Sequence, residues 1–234
     1  MKDHIVTSFG EELKDIATRI VEMGGLAETL VKESVTALLK ADSALARKTI
    51  EADRRLDEMQ SKLEEMCISI IARRQPMASD LREIIAAMRI SNDLERVGDM
   101  AKNVAKRALA IEGEFNSKTL AVGVEHMADL SLEQLKAVLD AYTSGDLEVV
   151  SSVRNRDEEI DALYNSLFRQ LLTYMMEDPR SITMCAHLLF CAKNIERIGD
   201  HATNIAENIY YMVSGSHLPI DRPKSDDLEL SAKA

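Results

Sequence analysis

Tryptophan is absent from this chain of 234 residues, aromatics make up only 4% of it, and proline occurs only at 76, 179, 219 and 223. Scarce proline leaves long stretches with no helix breaker. Cysteine is nearly as rare. Cys67, Cys185 and Cys191 are an odd number with no CxxC pair, which excludes a disulfide framework and a structural zinc ribbon and predicts buried free thiols. No apolar run reaches the roughly 20 residues of a membrane span. The start, Met1-Lys2-Asp3-His4, leads into no apolar signal region. The expectation is a cytoplasmic chain that meets a membrane only through partners. Positive charge is also short, with 29 Lys and Arg against 40 Asp and Glu and a formal net charge of -11. Phosphate backbones want a basic surface, so nucleic acid is not expected as a partner.

What is present favours helix: Ala, Leu, Ile, Met, Glu and Lys dominate. Apolar residues recur at steps of three and four over about Phe9 to Lys40, Ser43 to Arg74 and Ser79 to Ile111. Asp42 is placed to cap the second of these helices. Gln75-Pro76 ends it, and Gly113 closes the third. The pattern then restarts over Ser117 to Ala141, Leu147 to about Glu177, and about Arg180 to Val213. A turn at Thr143–Asp146 and a break at Asp178-Pro179 separate them. Asp42, Asp53 and Asp57 recur 104 residues later as Asp146, Asp157 and Asp161. This predicts an all-α protein of two tandem antiparallel three-helix bundles related by an internal repeat. The first bundle spans 1–113 and the second 114–214, each able to bury its own core. Residues 215–234 carry two prolines, mixed charge and no periodicity, which predicts a tail without fixed structure. The methionines, among them Met66, Met88, Met175, Met176 and Met184, read as gap-fillers of the core.

Within the third helix of each unit one stretch repeats. Leu94-Glu95-Arg96-Val97-Gly98-Asp99 returns as Ile195-Glu196-Arg197-Ile198-Gly199-Asp200, with Asn103 and Asn204 following in register. Residues four apart share a helix face. Glu95, Asp99 and Asn103 therefore form a ladder of oxygen groups, as do Glu196, Asp200 and Asn204. The middle helices carry their own four-spaced pairs, Asp53 with Asp57 and Asp157 with Asp161. Asp57 and Glu95 each lie 19 residues from Pro76. Equal arms about a turn set the pairs at the same height, so four carboxylates meet in each unit.

Two carboxylates about 5 Å apart repel by roughly 3 kcal/mol at an effective dielectric near 20. Water or a cation relieves that, so the ladders are either solvated faces or cation sites. All-oxygen donors suit hard cations such as magnesium, calcium, manganese or iron. Gly98 and Gly199 cost helix stability and suggest a close approach there. The ladders lie one residue, about 100°, from the apolar stripe, so the carboxylates are expected to flank the core. His201 sits off the ladder, more a neighbour of a ligand than a ligand. Arg96 and Arg197 pair with adjacent acids or hold an oxyanion, and Arg73-Arg74 makes a basic turn, either solvated or docking a partner. No Glu-xx-His, Gly-rich phosphate loop or nucleophile–base pair occurs, so no catalytic and no organic cofactor residues are expected. The alternatives are an all-helical carboxylate-metal phosphohydrolase or pyrophosphatase, and a purely structural helical adaptor.

The string Ala72-Arg73-Arg74-Gln75-Pro76-Met77-Ala78-Ser79-Asp80-Leu81-Arg82, followed by Asn92 to Asp99, resembles the PhoU family of phosphate-uptake regulators. Asn194 to Ala202 resembles its second copy, and the similarity covers about residues 10 to 214. The second unit departs from the Arg-Arg-Gln-Pro string. The resemblance implies multinuclear metal clusters of iron, manganese, magnesium or zinc. On motifs of the form Glu/Asp-xxx-Asp, the ligands are Asp53, Asp57, Glu95, Asp99, Asp157, Asp161, Glu196 and Asp200, with Asn103 and Asn204 as weaker carry-overs. It also implies a homodimer without enzymatic activity. Its partners are the ATPase subunit of a phosphate ABC transporter and a phosphate-sensing histidine kinase, through which it represses phosphate-starvation genes.

Overall fold

In a computed structural model, described over residues 2–111 and 118–218, six long helices follow one another. They are α1 (Lys2–Leu39), α2 (Ser43–Arg74), α3 (Ser79–Ala110), α4 (Lys118–Ser144), α5 (Glu148–Glu177) and α6 (Ile182–Ser214). A single 3-10 turn, Pro179–Ser181, leads into α6. No strand occurs among the described residues, and no helix is long and apolar enough to cross a membrane. Asp42 caps α2 by accepting from the Leu45 amide at 2.9 Å. Asp146 accepts from the Glu148 amide at 2.9 Å. Gly113, Ser117 and residues 219–234 of the expected tail lie outside the described residues. Its first residues are placed: Gly215 ends α6 in the left-handed region, His217 stacks on Tyr211, and Leu218 packs on the core.

Helices α1–α3 pack together, as do α4–α6, and α3 against α6 is the most extensive junction between them. That junction is antiparallel. Asp93 meets His201, Asn103 meets Asn194 and Arg107 meets His187. Each unit was expected to bury its own core. Instead, the two apolar clusters divide the molecule by its ends. One joins Ile16–Val31 of α1, Leu56–Ile70 of α2 and Ile84–Ala101 of α3 to Leu135–Tyr142 of α4 and Ile198–Ile209 of α6. The other joins Val35 and Leu38 of α1 to Leu120–Ala128 of α4 and Cys185–Ile195 of α6. Antiparallel helices at a shared wall give each cluster residues from both repeats. Of the two adjacent glycines inside α1, Gly24 makes a close approach and Gly25 does not. A Cβ on Gly24 would lie 2.4 Å from Leu139 Cδ2 of α4, whereas Gly25 faces open space.

The basic turn is a clamp. Arg74 donates to Glu12 Oε2 at 2.9 Å and to Ser8 Oγ at 2.9 Å, and Arg73 donates to Glu12 Oε1 at 3.1 Å. These bonds tie α1 to the end of α2. Most of the named methionines fill gaps as expected, but Met176 is 84% exposed because it stands at the α5 end. Leu81, expected on the inward stripe, is exposed in the first turn of α3.

Gly24→Val is expected to destabilise the fold by about 1–3 kcal/mol through overpacking. Adding Leu139→Ala to the same chain recovers part of the loss, measured as urea midpoints. For the clamp, the Arg74 hydrogen bond first, then the charges of both arginines, hold the Glu12 carboxyl below its usual range. A lowered folded value means that its contribution is complete above the unfolded pKa, about 4.3, and is lost as pH falls through the folded value. Glu12→Gln should therefore lower the urea midpoint at pH 7, with the gap closing below about pH 4.

Candidate metal centre

In the first unit, a pleated contact between α2 and α3 forms around Gly98. A Cβ there would lie 2.6 Å from Leu56 Cδ2 and 3.0 Å from Asp53 Oδ1. Glycine lets the α3 backbone close on α2 with the Asp53 carboxylate against it. Gly199 repeats the arrangement, with Ile160 Cδ1 at 3.2 Å and Asp157 Oδ1 at 3.3 Å from the Cβ position. The two motif glycines are thus the backs of two carboxylate clusters.

The carboxylates of each unit act on one another electrostatically, more completely in the first than in the second. In the first unit burial, reinforced by the nearby Asp57 and Asp99 charges, raises the Asp53 carboxyl although Lys102 opposes the shift. Burial, then the Asp99, Asp57 and Asp53 charges, raises Glu95 against the opposing charge of Arg96. Asp53 therefore feels Asp57 and Asp99, and Glu95 feels all three. In the second unit burial raises Glu196, with Asp200 and Asp161 adding to it and Lys193 opposing it. The carboxylates flank the core less than expected, because Asp53 is 1% exposed and Glu196 8%. Asp57, Glu95, Asp99, Asp157, Asp161 and Asp200 are half-buried.

Two lysines that the ladder pattern does not predict enter these clusters. Lys102 donates from Nζ to Asp53 Oδ2 at 2.5 Å and to Asp99 Oδ1 at 2.6 Å, bridging α2 and α3. Lys193 donates to Glu196 Oε1 at 2.6 Å. Both are a helical step of three from a ladder residue, and that spacing is the signal that finds them. Arg96 pairs with Asp99 at 3.1 Å and with Glu95 at 3.4 Å, the plainer of its two readings. His201 approaches Asp93 at 3.0 Å across the α3–α6 seam. Asn103 donates to Asn194 at 3.3 Å on that seam, and Asn204 lines a groove there of about 440 Å³ with Arg89 and Asp93. Neither asparagine joins the lysine-bridged contacts.

The repeats differ at the cluster base. Where the first unit has Leu30, 3.7 Å from the Gly98 Cβ position, the second has Gln134 at 3.1 Å from that of Gly199. Gln134 is fully buried. It donates to the Val153 carbonyl at 3.0 Å and to Thr203 Oγ1 at 3.1 Å. Thr203 stands where the first unit has Lys102.

As the side chains stand, no three acid, imidazole or thiol groups among the described residues are gathered to hold an ion. The donor chemistry nonetheless fits a hard cation. Asp53 Oδ1 and Glu196 Oε2 are buried with no hydrogen-bond partner, and Glu95 Oε2 has only the Arg96 guanidinium at 3.4 Å, an arrangement that costs free energy unless a cation or water completes it. The thiols are elsewhere: Cys67, Cys185 and Cys191 are buried and free, and burial pushes Cys67 up to about 11 and Cys191 up to about 12.

The family model described as the PhoU domain matches the chain twice, over residues 20–108 and 124–209. The chain belongs to the PhoU family. It is 60% identical to a phosphate-specific transport system accessory protein PhoU homolog of Rhizobium meliloti (strain 1021), across 95% of this chain and 94% of that one. A homolog so named in Caulobacter vibrioides (strain NA1000 / CB15N) is 50% identical, across 97% and 99%. PhoU of Pseudomonas aeruginosa superposes with a TM-score of 0.85 at 41% identity, covering 89% of this chain and 100% of that one. The phosphate transport system regulatory protein PhoU of Streptococcus pneumoniae superposes at 0.83 with 28% identity, covering 91% and 100%. The doubled family match coincides with the repeat read from the motif spacing.

Because Glu95 is charged among like charges, Glu95→Gln should stabilise the metal-free chain at neutral pH by about 1 kcal/mol. A raised folded pKa places the penalty above that value and removes it below the unfolded one. The gain should therefore vanish as pH falls below about 4, which urea unfolding in a chelator at pH 7 and pH 3.5 would measure.

Proposed function

We propose that the chain is a non-enzymatic, cytoplasmic regulator of phosphate uptake and phosphate-starvation signalling, and that hard metal ions bound at its two carboxylate clusters control its docking. The observation that carries the metal reading is the pair of buried carboxylate oxygens without a hydrogen-bond partner, at Asp53 and Glu196. The relatives' names carry the physiological reading, since they are accessory or regulatory proteins of phosphate transport.

Asp53, Asp57, Glu95 and Asp99 would hold the ions of the first unit, and Asp157, Asp161, Glu196 and Asp200 those of the second. The ions, whether iron, manganese, magnesium or zinc, would supply positive charge with open positions for phosphate oxygens or a partner's carboxylates. The chain's own part is positional. Gly98 and Gly199 bring the backbone of α3 and α6 against the acids of α2 and α5. The exposed Arg96 holds Glu95 and Asp99 at the rim. Half-buried acids reach both the core and the surface, so the charge of each cluster is sensed by whatever docks over it. The partners proposed are the ATPase subunit of a phosphate ABC transporter and a phosphate-sensing histidine kinase, with the regulator acting as a homodimer.

Elemental analysis of untagged protein, loaded with metal without air, is expected to find more than one hard metal ion per chain. Glu95→Ala with Asp99→Ala should lose at least the first unit's share. Pull-down from cells grown with ample phosphate should recover both partners with the metal-loaded chain and neither with the double variant. Normal partner binding by metal-free protein would overturn the metal's role. Hydrolysis of nucleotides by the metal-loaded chain, abolished by Asp99→Ala, would overturn the non-enzymatic reading.

A further inference from the structure

We propose that the Lys102 ammonium is the resident cation of the first unit's carboxylate cluster, and that a metal ion enters this cluster only by displacing it. The inference rests on the metal reading above and concerns the first repeat alone. It starts from geometry. One nitrogen joins Asp53 Oδ2 on α2 to Asp99 Oδ1 on α3 at 2.5 and 2.6 Å. An ion shared by those two acids needs the same space. Asp53 is 1% exposed, so its charge requires a partner at all times. The lysine serves it incompletely: Asp53 Oδ1 stays buried without a hydrogen-bond partner. A compact ammonium carries one charge and three donors, whereas a hard divalent ion gathers six or more oxygens.

The displacement is sterically open. The Lys102 side chain is 22% exposed on a flexible stem, so it can swing outward along α3 while Asp53 and Asp99 hold their places. Lys102 therefore keeps the metal-free cluster assembled and sets a threshold of metal concentration below which the first unit stays closed. At the matching position the second unit has Thr203, buried and bound to Gln134, so this device is not a property of the repeat. Lys193 is placed differently. It reaches Glu196 from three residues earlier on the same helix and lies over the Tyr164 ring.

The test is manganese(II) binding by calorimetry and electron paramagnetic resonance on the full chain and on Lys102→Met, with thermal unfolding in chelator and in manganese(II). Removing one charge-assisted competitor should tighten one class of sites by about ten- to a hundredfold and leave the other class unchanged. The variant should melt below wild type in chelator and gain more from manganese(II) than wild type does. Acetylation of the wild-type chain, followed by peptide mass spectrometry, is a second measurement should Lys102→Met fail to fold. Modification of Lys102 should rise with manganese(II), while that of the exposed Lys62 stays constant. If wild type binds manganese(II) but the variant binds it no more tightly, or Lys102 stays protected at saturation, the displacement is wrong and the metal reading stands. If neither chain binds the ion at any concentration tried, both fall.

Discussion

Burying the Asp53 carboxylate among like charges is the constraint around which the molecule is arranged. A carboxylate at 1% exposure is tolerated only if a positive group reaches it. Lys102 does so from the neighbouring helix, and Gly98 leaves room for the carboxylate to lie against the α3 backbone. The same contact sets the register of α2 against α3, because a slip of one residue would carry the lysine away from Asp53. Leu56 and Val97 are buried beside it, so the polar register and the apolar stripe reinforce one another. The charged cluster is therefore part of the packing between these helices, not an ornament on it.

The antiparallel seam extends this arrangement to the whole molecule. Asp93 with His201 and Asn103 with Asn194 bring the middles of the two motifs to one level along α3 and α6. Each apolar cluster then takes residues from both repeats. A disturbance at either carboxylate cluster is felt by a wall common to both units. Independent bundles on a linker would not transmit it, whereas rigid helices sharing a core have few ways to yield locally. The geometry suits a protein whose state is read by others.

Much of this was legible in the sequence, for definite reasons. Long helices without internal proline declare their period. The 104- and 101-residue spacings declare the repeat, and equal arms about Pro76 bring Asp53 and Asp57 to Glu95 and Asp99. What stayed hidden depends on packing between units. Nothing in the local pattern says that α3 runs against α6, so neither the shared core nor the place of His201 and Asn103 on the seam could be read. A glycine inside a helix, as at Gly24, marks a weak point of α1, but its partner Leu139 lies in the other repeat. Lys102 was overlooked for a different reason. A ladder of acids read at steps of four omits the step of three, and a basic residue near acids on a long helix looks like an ordinary surface pair. The depth of Asp53 separates the two cases, and depth follows from the approach of α3 that Gly98 permits.

The divergence between repeats bears on how such a site is kept in working order. Matched acids argue for one common task, yet the supporting residues have parted. The first cluster rests on Leu30 and holds an ammonium between two of its acids, while the second rests on the buried Gln134–Thr203 pair. Gln134 Oε1 has no hydrogen-bond partner and lies 3.1 Å from the Gly199 Cβ position, where Asp157 Oδ1 is 3.3 Å away. A neutral amide holds helices together through fixed dipoles and cannot be displaced by an incoming cation as an ammonium can. Both clusters receive a lysine, Lys102 between Asp53 and Asp99 and Lys193 at Glu196, so the repeats differ most in what lies beneath the acids. The two bases support their clusters by different physical means, apolar contact from Leu30 in one and the fixed dipole of a buried amide in the other.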